Sequence, residues 1–348
     1  MMTDDGLLDE AYERLHVKGP EFDGWLSNHG PMAVDALLRL DRGTDVRRWV
    51  VSYERRLEAL PGARWAITAQ DWRECLGDPS RLGDWLAFST QQVHEEPWQQ
   101  VLARWWPRLL PGAVASSTHG LIRTGHAVRA LRDEVTRPRL DELGQALGYW
   151  AARWQPLPGS GTASGALDAG AALDALPPAG AGVGGGARTR LAALEADPAW
   201  VPASAGHRRP ASAADVPGAL DDLTDAAVSR YPRWAIADPV MLVHTATAPR
   251  AVALVLPSLP MDLWRASYDG AWAVTAAITA AYRPMSSAAV LSPDERSDAA
   301  LDVPELLSRN DDEHVVKFLE VAVESQRRGS PDAATAARRA VSLIGETG

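Results

Sequence analysis

The feature that most constrains what this chain can fold into is a helical stripe of apolar residues, repeated along its length and cut each time by Pro or Gly. Leu7 to Val17 carries apolar residues at 7, 8, 11, 12 and 15, an i, i+3/i+4 pattern that Gly19-Pro20 stops. Asn28 or His29 then caps a helix starting at Pro31 and running to about Leu40, which places His29 at a helix N-terminus. Further helices are expected over Thr44 to Leu60, Asp78 to about His94, Pro97 to Leu110 and His119 to about Glu134, the last closing before Pro138. After an interruption the pattern resumes at Arg188 to Ala196, Asp215 to Ser229, from Asp238 with Pro239 in the first turn, Pro260 to about Tyr282, Val303 to about Ser308, Asp312 to Gln326 and Pro331 to Ile344. No run alternates polar and apolar residues as a half-buried strand does. The expected class is all-α, a single large bundle-type domain of many helices over 1–348.

The interruption, Pro156 to Gly186, is rich in Ala, Gly and Pro and reads as a flexible connection around 156–187, with a short helix near Leu167 to Leu176. Within it Gly182-Val183-Gly184-Gly185-Gly186-Ala187 has the G-x-G-x-x-A form of a dinucleotide fingerprint, but no strand precedes it and the match is rejected. The 348 residues, 46% hydrophobic and 23% charged, suffice for a sizeable core. A net charge of -10 argues against nucleic acid or an anionic membrane as partner. The single cysteine, Cys75, excludes an internal disulfide and any multi-cysteine metal site, which suits a reducing cytoplasm. The acidic start lacks a signal-peptide pattern, and Trp234 to Leu259, the nearest approach to a membrane span, contains Asp238, His244 and Arg250. A cytoplasmic protein without a membrane partner is expected.

Five histidines, His29, His119, His126, His244 and His314, lie on or at the start of an apolar helix. Imidazoles gathered inside a helical bundle are natural ligands of iron, copper or zinc, whereas a lone imidazole on an apolar face is more often a hydrogen-bonded core residue. His119 and His126, seven residues apart, share a helix face but stand roughly 10.5 Å apart along the axis. They can line one cleft, and Arg123 between them can bind an anionic group. His314 precedes Lys317 by three residues, roughly 4.5 Å of rise and about 60° of rotation, so both side chains can reach one point. Lysine is scarce here: of 35 Lys+Arg residues only Lys18 and Lys317 are lysine, so Lys317 is a candidate for the chemistry of its amine. The competing reading is a surface lysine paired with Glu313, Glu320 or Glu324. The 14 tryptophans against 3 Phe and 6 Tyr are core anchors first, with some available to line a cleft for a flat aromatic ligand. G-x-S-x-G, H-E-x-x-H, P-loop and H-x-H motifs are all missing.

In order, Asn28-His29-Gly30-Pro31-Met32, the block from Ser117 to Ala127, Val243-His244-Thr245 and Asp312-Glu313-His314-Val315-Val316-Lys317-Phe318 resemble the questin oxidase-like family, from about Leu8 to about Val323. That family is associated with oxidative cleavage of anthraquinone-type polyketides, by Baeyer–Villiger-like or dioxygenase ring opening. Some members depend on NADPH, and at least one holds non-haem iron through four histidines and an Nζ-carboxylated lysine. The resemblance implies a central metal and substrate cleft, with Fe(II) on His29, His119, His244, His314 and Lys317, the last as a CO2-derived carbamate. It implies O2 and an aromatic polyketide as substrates, and NADPH as co-substrate where a reductant is needed. Fungal relatives have an aromatic residue in place of His126 and a histidine in place of Arg123. These two residues are therefore assigned to the substrate cleft, to position or deprotonate a phenol. The expected function is an oxygenase cleaving or oxidising a quinone or polycyclic phenol in natural-product biosynthesis. The alternatives are a metal-independent or NADPH-dependent oxygenase, and a non-catalytic helical binding protein for an aromatic metabolite.

Overall fold

The computed structural model describes residues 4–161, 163–179, 183–285 and 299–345. Among these are 17 α-helices and one two-stranded hairpin, so the all-α class holds. The chain divides into two compact units, Met1–Pro156 with Leu254–Leu263 and Leu157–Ala253 with Trp264–Gly348.

In the first unit α1 (Asp4–His16) leads into the hairpin β1 (Glu21–Phe22) and β2 (Leu26–Ser27). Then follow α2 (Gly30–Arg39), α3 (Gly43–Tyr53), α4 (Trp72–Cys75), α5 (Leu82–Glu95), α6 (Trp98–Leu109), α7 (His119–Asp133) and α8 (Arg137–Ala152). As the sequence predicts, the α2 start is capped from upstream: Asn28 Oδ1 accepts from the Gly30 N–H at 2.9 Å. Two boundaries differ from expectation. The helix expected to run to Leu60 ends at Tyr53 with a 3₁₀ turn, because the next residues pair with the hairpin region; Gly19 N–H donates to Glu58 O at 2.8 Å and Glu58 N–H to Glu21 O at 3.1 Å. The sequence pattern also assigns no helix after Pro138, yet α8 is among the most buried helices. Pro138 lies in its first turn, where a missing N–H costs nothing, so it starts a helix instead of only closing one. Gly144 and Gly148 let α8 approach α5 closely: a Cβ at either would come within 2.7 Å of the α5 backbone.

The second unit contains α9 (Ala169–Ala175), α10 (Ala187–Glu195), α11 (Trp200–Ala205) and α12 (Val216–Trp234). It continues with α13 (Pro239–Val255), whose last two residues belong to the first unit, then α14 (Trp264–Tyr282), α15 (Val303–Arg309), α16 (Glu313–Arg327) and α17 (Ala333–Leu343). The short helix expected near Leu167 to Leu176 is α9. Of the rejected dinucleotide fingerprint, Gly182 lies outside the described residues, as do Met1 to Thr3. Among the described residues one stretch, Pro239–Ser258, is long and apolar enough to cross a membrane, and most of it is buried inside the protein.

Candidate metal centre

The proposed ligands fall into two groups, His29 and His119 in the first unit and His244, His314 and Lys317 in the second. His29 occupies the cap position of α2, and its backbone N–H donates to Tyr53 Oη at 2.6 Å, with the same hydroxyl 3.4 Å from His29 Nδ1. His119 opens α7, and its Nδ1 lies 2.5 Å from Ser116 O, so it donates there and the neutral ring keeps an unprotonated Nε2. The two Nε2 atoms stand 2.8 Å apart and the rings meet edge-on, both buried. The turn delivering His119 is strained: Ser116, Ser117 and Thr118 have φ of 46°, 53° and 72°, three consecutive non-glycine residues in the left-handed region. Each costs roughly 1–2 kcal/mol there, a cost met by the packing around α7.

Arg123 and His126 lie farther along α7, each against a buried carboxylate. Arg123 donates from Nε and Nη2 to the two oxygens of Glu142, at 2.6 and 2.7 Å, and His16 Nε2 is 2.7 Å from the same carboxylate. Burial pushes the Glu142 carboxyl up, but the Arg123 guanidinium outweighs it and holds the group below the usual carboxylate range. His126 Nδ1 donates to Asp35 Oδ2 at 2.7 Å, and Arg129 donates to the same oxygen from Nη2 at 2.5 Å and Nε at 3.0 Å. Here too burial opposes ionisation and the Arg129 charge prevails, so Asp35 is ionised well below its ordinary range. Asp35, Glu142 and Tyr53 escaped the sequence reading. Asp35 carried one signal, as the only acidic residue between His29 and Leu40.

In the second unit His244 projects from α13 with Nδ1 3.2 Å from Met241 O. Burial, with His314 and Lys317 acting in the same direction, holds its imidazole neutral. Asp312 caps α16, accepting from the His314 N–H at 2.8 Å and lying 3.1 Å from His314 Nδ1. The His244 and His314 ring centroids are 5.6 Å apart. Asp312, Glu313 and His314 bring metal-ligating atoms within 4.8 Å of one another.

Lys317 corrects the surface reading of its spacing. It is 2% exposed, and Nζ makes no hydrogen bond among the described residues. Glu324, one of the three partners expected for a surface lysine here, instead accepts from Arg250 at 2.6 Å. Burial lowers the Lys317 ammonium to about 8, although Glu313 and Asp312 pull the other way. The reason is that α16 buries nearly its whole first three turns, so no polar edge remains for a surface lysine.

All four histidines thus turn Nδ1 toward an oxygen, which leaves Nε2 as the ring atom that a metal would take. That is how metal-bound imidazoles are held by their surroundings. The tryptophans expected in a substrate cleft largely pack as core: Trp85, Trp106, Trp150, Trp200 and Trp272 are buried, Trp106 edge-on against Trp150. A groove of about 860 Å³ lies within the second unit, lined among others by His207, Arg209, Asp222 and Tyr268 and by none of the predicted site residues. Its size would admit a small ligand, and its one lining histidine, His207, pairs with Tyr268 there, whereas His29, His119, His126, His244 and His314 lie elsewhere. No protein-family model matches this chain, and no curated protein sequence matches it.

Proposed function

We propose that this chain is a non-haem iron oxygenase acting on an aromatic polyketide, a quinone or polycyclic phenol. The observation that supports a metal site is the common posture of His29, His119, His244 and His314, each with Nδ1 against an oxygen, while the oxygenase activity and the aromatic substrate are what the family resemblance implies. Neutral imidazoles are the protonation state a metal requires, and burial keeps His244 in it. The ligand set carried over from the family resemblance adds Lys317. A buried amine lowered to about 8 is about one-tenth unprotonated at pH 7, far more than an ordinary lysine. The neutral amine adds CO2 and releases one proton, giving an anionic oxygen donor that a divalent ion stabilises. Iron, if bound by these residues, would supply the electron transfer that dioxygen needs to react with a closed-shell aromatic. Ring cleavage that places both oxygen atoms in the product needs no further reductant, whereas insertion of one oxygen requires a donor such as NADPH. Arg123 and His126, each engaged by a carboxylate, receive no substrate contact in this proposal.

The test is metal analysis of protein produced with iron and handled without air. The expected result is about one iron per chain, lost from His244→Ala, His314→Ala and His119→Ala, with oxygen uptake lost in parallel. Metal-free protein that still consumes oxygen with a quinone or phenol substrate sinks the proposal. Lys317→Arg keeps a cation but cannot be carboxylated, so undiminished oxygen uptake in that variant removes the carbamate while leaving the histidines in place.

A further inference from the structure

Three contacts between α2 and α7 advance together along both helices: His29 with His119, Asp35 with His126 and Arg129, and Arg39 with Asp133. The two helices therefore run parallel from a common start, and the histidine pair sits at that start. Asp35 lies six residues beyond His29, roughly 9 Å along its axis, and His126 seven beyond His119, roughly 10.5 Å. The rest of this stretch of α2 is apolar, with Met32, Ala33, Val34, Ala36 and Leu37 all buried. A carboxylate 1% exposed among them is expensive to keep ionised, and a leucine of similar size would serve packing better. What the ion cluster provides and a leucine does not is direction. Asp35 Oδ2 is the single point on which one His126 N–H and two Arg129 N–H groups converge, so it admits one register of α2 against α7.

We infer that Asp35 is a positioning residue: through His126 and Arg129 it sets the register of α2 and α7 that brings His29 Nε2 against His119 Nε2. This rests on the metal-centre reading and adds to it the device that aims two of the ligands. A slip of one residue would move His29 by about 1.5 Å and turn it by about 100°, taking its imidazole off the His119 ring. The other ion pair between these helices, Arg39 with Asp133, is about two-fifths exposed on each side and holds less tightly. The role also accounts for His126, which on this view anchors the helices and does not touch substrate.

The experiment is a Co(II) titration of metal-free protein, followed by visible absorption, for wild type, Asp35→Asn, Arg129→Gln and Leu143→Ala. Leu143 is a buried α8 residue of the same unit, so it controls for loss of stability alone. Asp35→Asn is expected to bind Co(II) roughly 10–100-fold more weakly with displaced absorption bands, and Leu143→Ala to keep both affinity and spectrum. Wild-type affinity and spectrum in Asp35→Asn overturn the inference. Should that variant not fold, Arg129→Gln, which removes two of the three donors, is held to the same outcomes. If wild type binds neither cobalt nor iron, the metal reading fails by itself. Imidazole 15N spectra of metal-free protein then decide the clamp: the Nε2 to Nε2 hydrogen bond of His29 and His119 should be present in wild type and lost in Asp35→Asn, and its persistence in the variant overturns the inference.

Discussion

The two units bury charge in opposite ways. In the first, Arg123 and His16 share Glu142, His126 and Arg129 share Asp35, and Arg139 donates to Asp5 and Asp9. In the second, Lys317 is buried with no hydrogen bond to Nζ among the described residues, and His244 beside it is kept neutral. A buried network of paired charges resists change because removing one member strands its partner in a low dielectric. A buried ammonium without a hydrogen bond is a standing cost, which falls when the amine loses its proton or gains a closer counter-ion. The first arrangement is suited to holding imidazoles still, the second to supplying a group that reacts.

The sharpest way to break this contrast is to remove one charge from each unit. Glu142→Gln strands the Arg123 guanidinium and should cost about 3–5 kcal/mol in urea unfolding followed by tryptophan fluorescence. A loss below about 1 kcal/mol would mean that the first-unit network is not what holds Arg123. Lys317→Met should do the reverse. A fall from 10.5 to about 8, at about 1.4 kcal/mol per unit, corresponds to about 3 kcal/mol recovered at pH 7 in metal-free protein. The sign with pH follows from the lowered value. Below about pH 8 both folded and unfolded chains carry the Lys317 proton and the gap between variant and wild type is constant. Between about pH 8 and 10.5 only the unfolded chain carries it, so wild-type stability rises toward that of the variant. Parallel stability curves across that window would show that Lys317 is charged as easily in the fold as in water. The smallest effect concerns delivery of His119: Ser117→Gly relieves one left-handed residue and should raise stability in thermal unfolding slightly, by less than about 1 kcal/mol. A clear loss instead would show that the Ser117 side chain holds the turn.

Helix starts with a local signal were legible in the sequence. Asn28 and Pro31 announced α2, and Asp312 announced α16. The same reasoning missed α8, because Pro138 signals a stop and a start equally well and Gly144 and Gly148 weaken the pattern that would have chosen between them. It carried α3 too far, because the hydrogen bonds that end it come from Gly19 and Glu21, more than thirty residues upstream. The histidines were legible as residues on apolar helices, but the oxygens that orient them were not, beyond those within three positions.

What the sequence determined by itself is therefore what acts within a few residues: the all-α class, most helix limits, His29 and His119 at helix starts, and Asp312 where it can cap His314. Only the tertiary structure decided that Lys317 is buried, that the His29 and His119 Nε2 atoms lie 2.8 Å apart, and that Asp35 ties α2 to α7. Local order follows from backbone geometry and short-range hydrogen bonds, which a window of residues contains. Burial of a lysine and convergence of imidazoles 90 residues apart depend on which surfaces the closed chain presses together, and no spacing along the sequence encodes that.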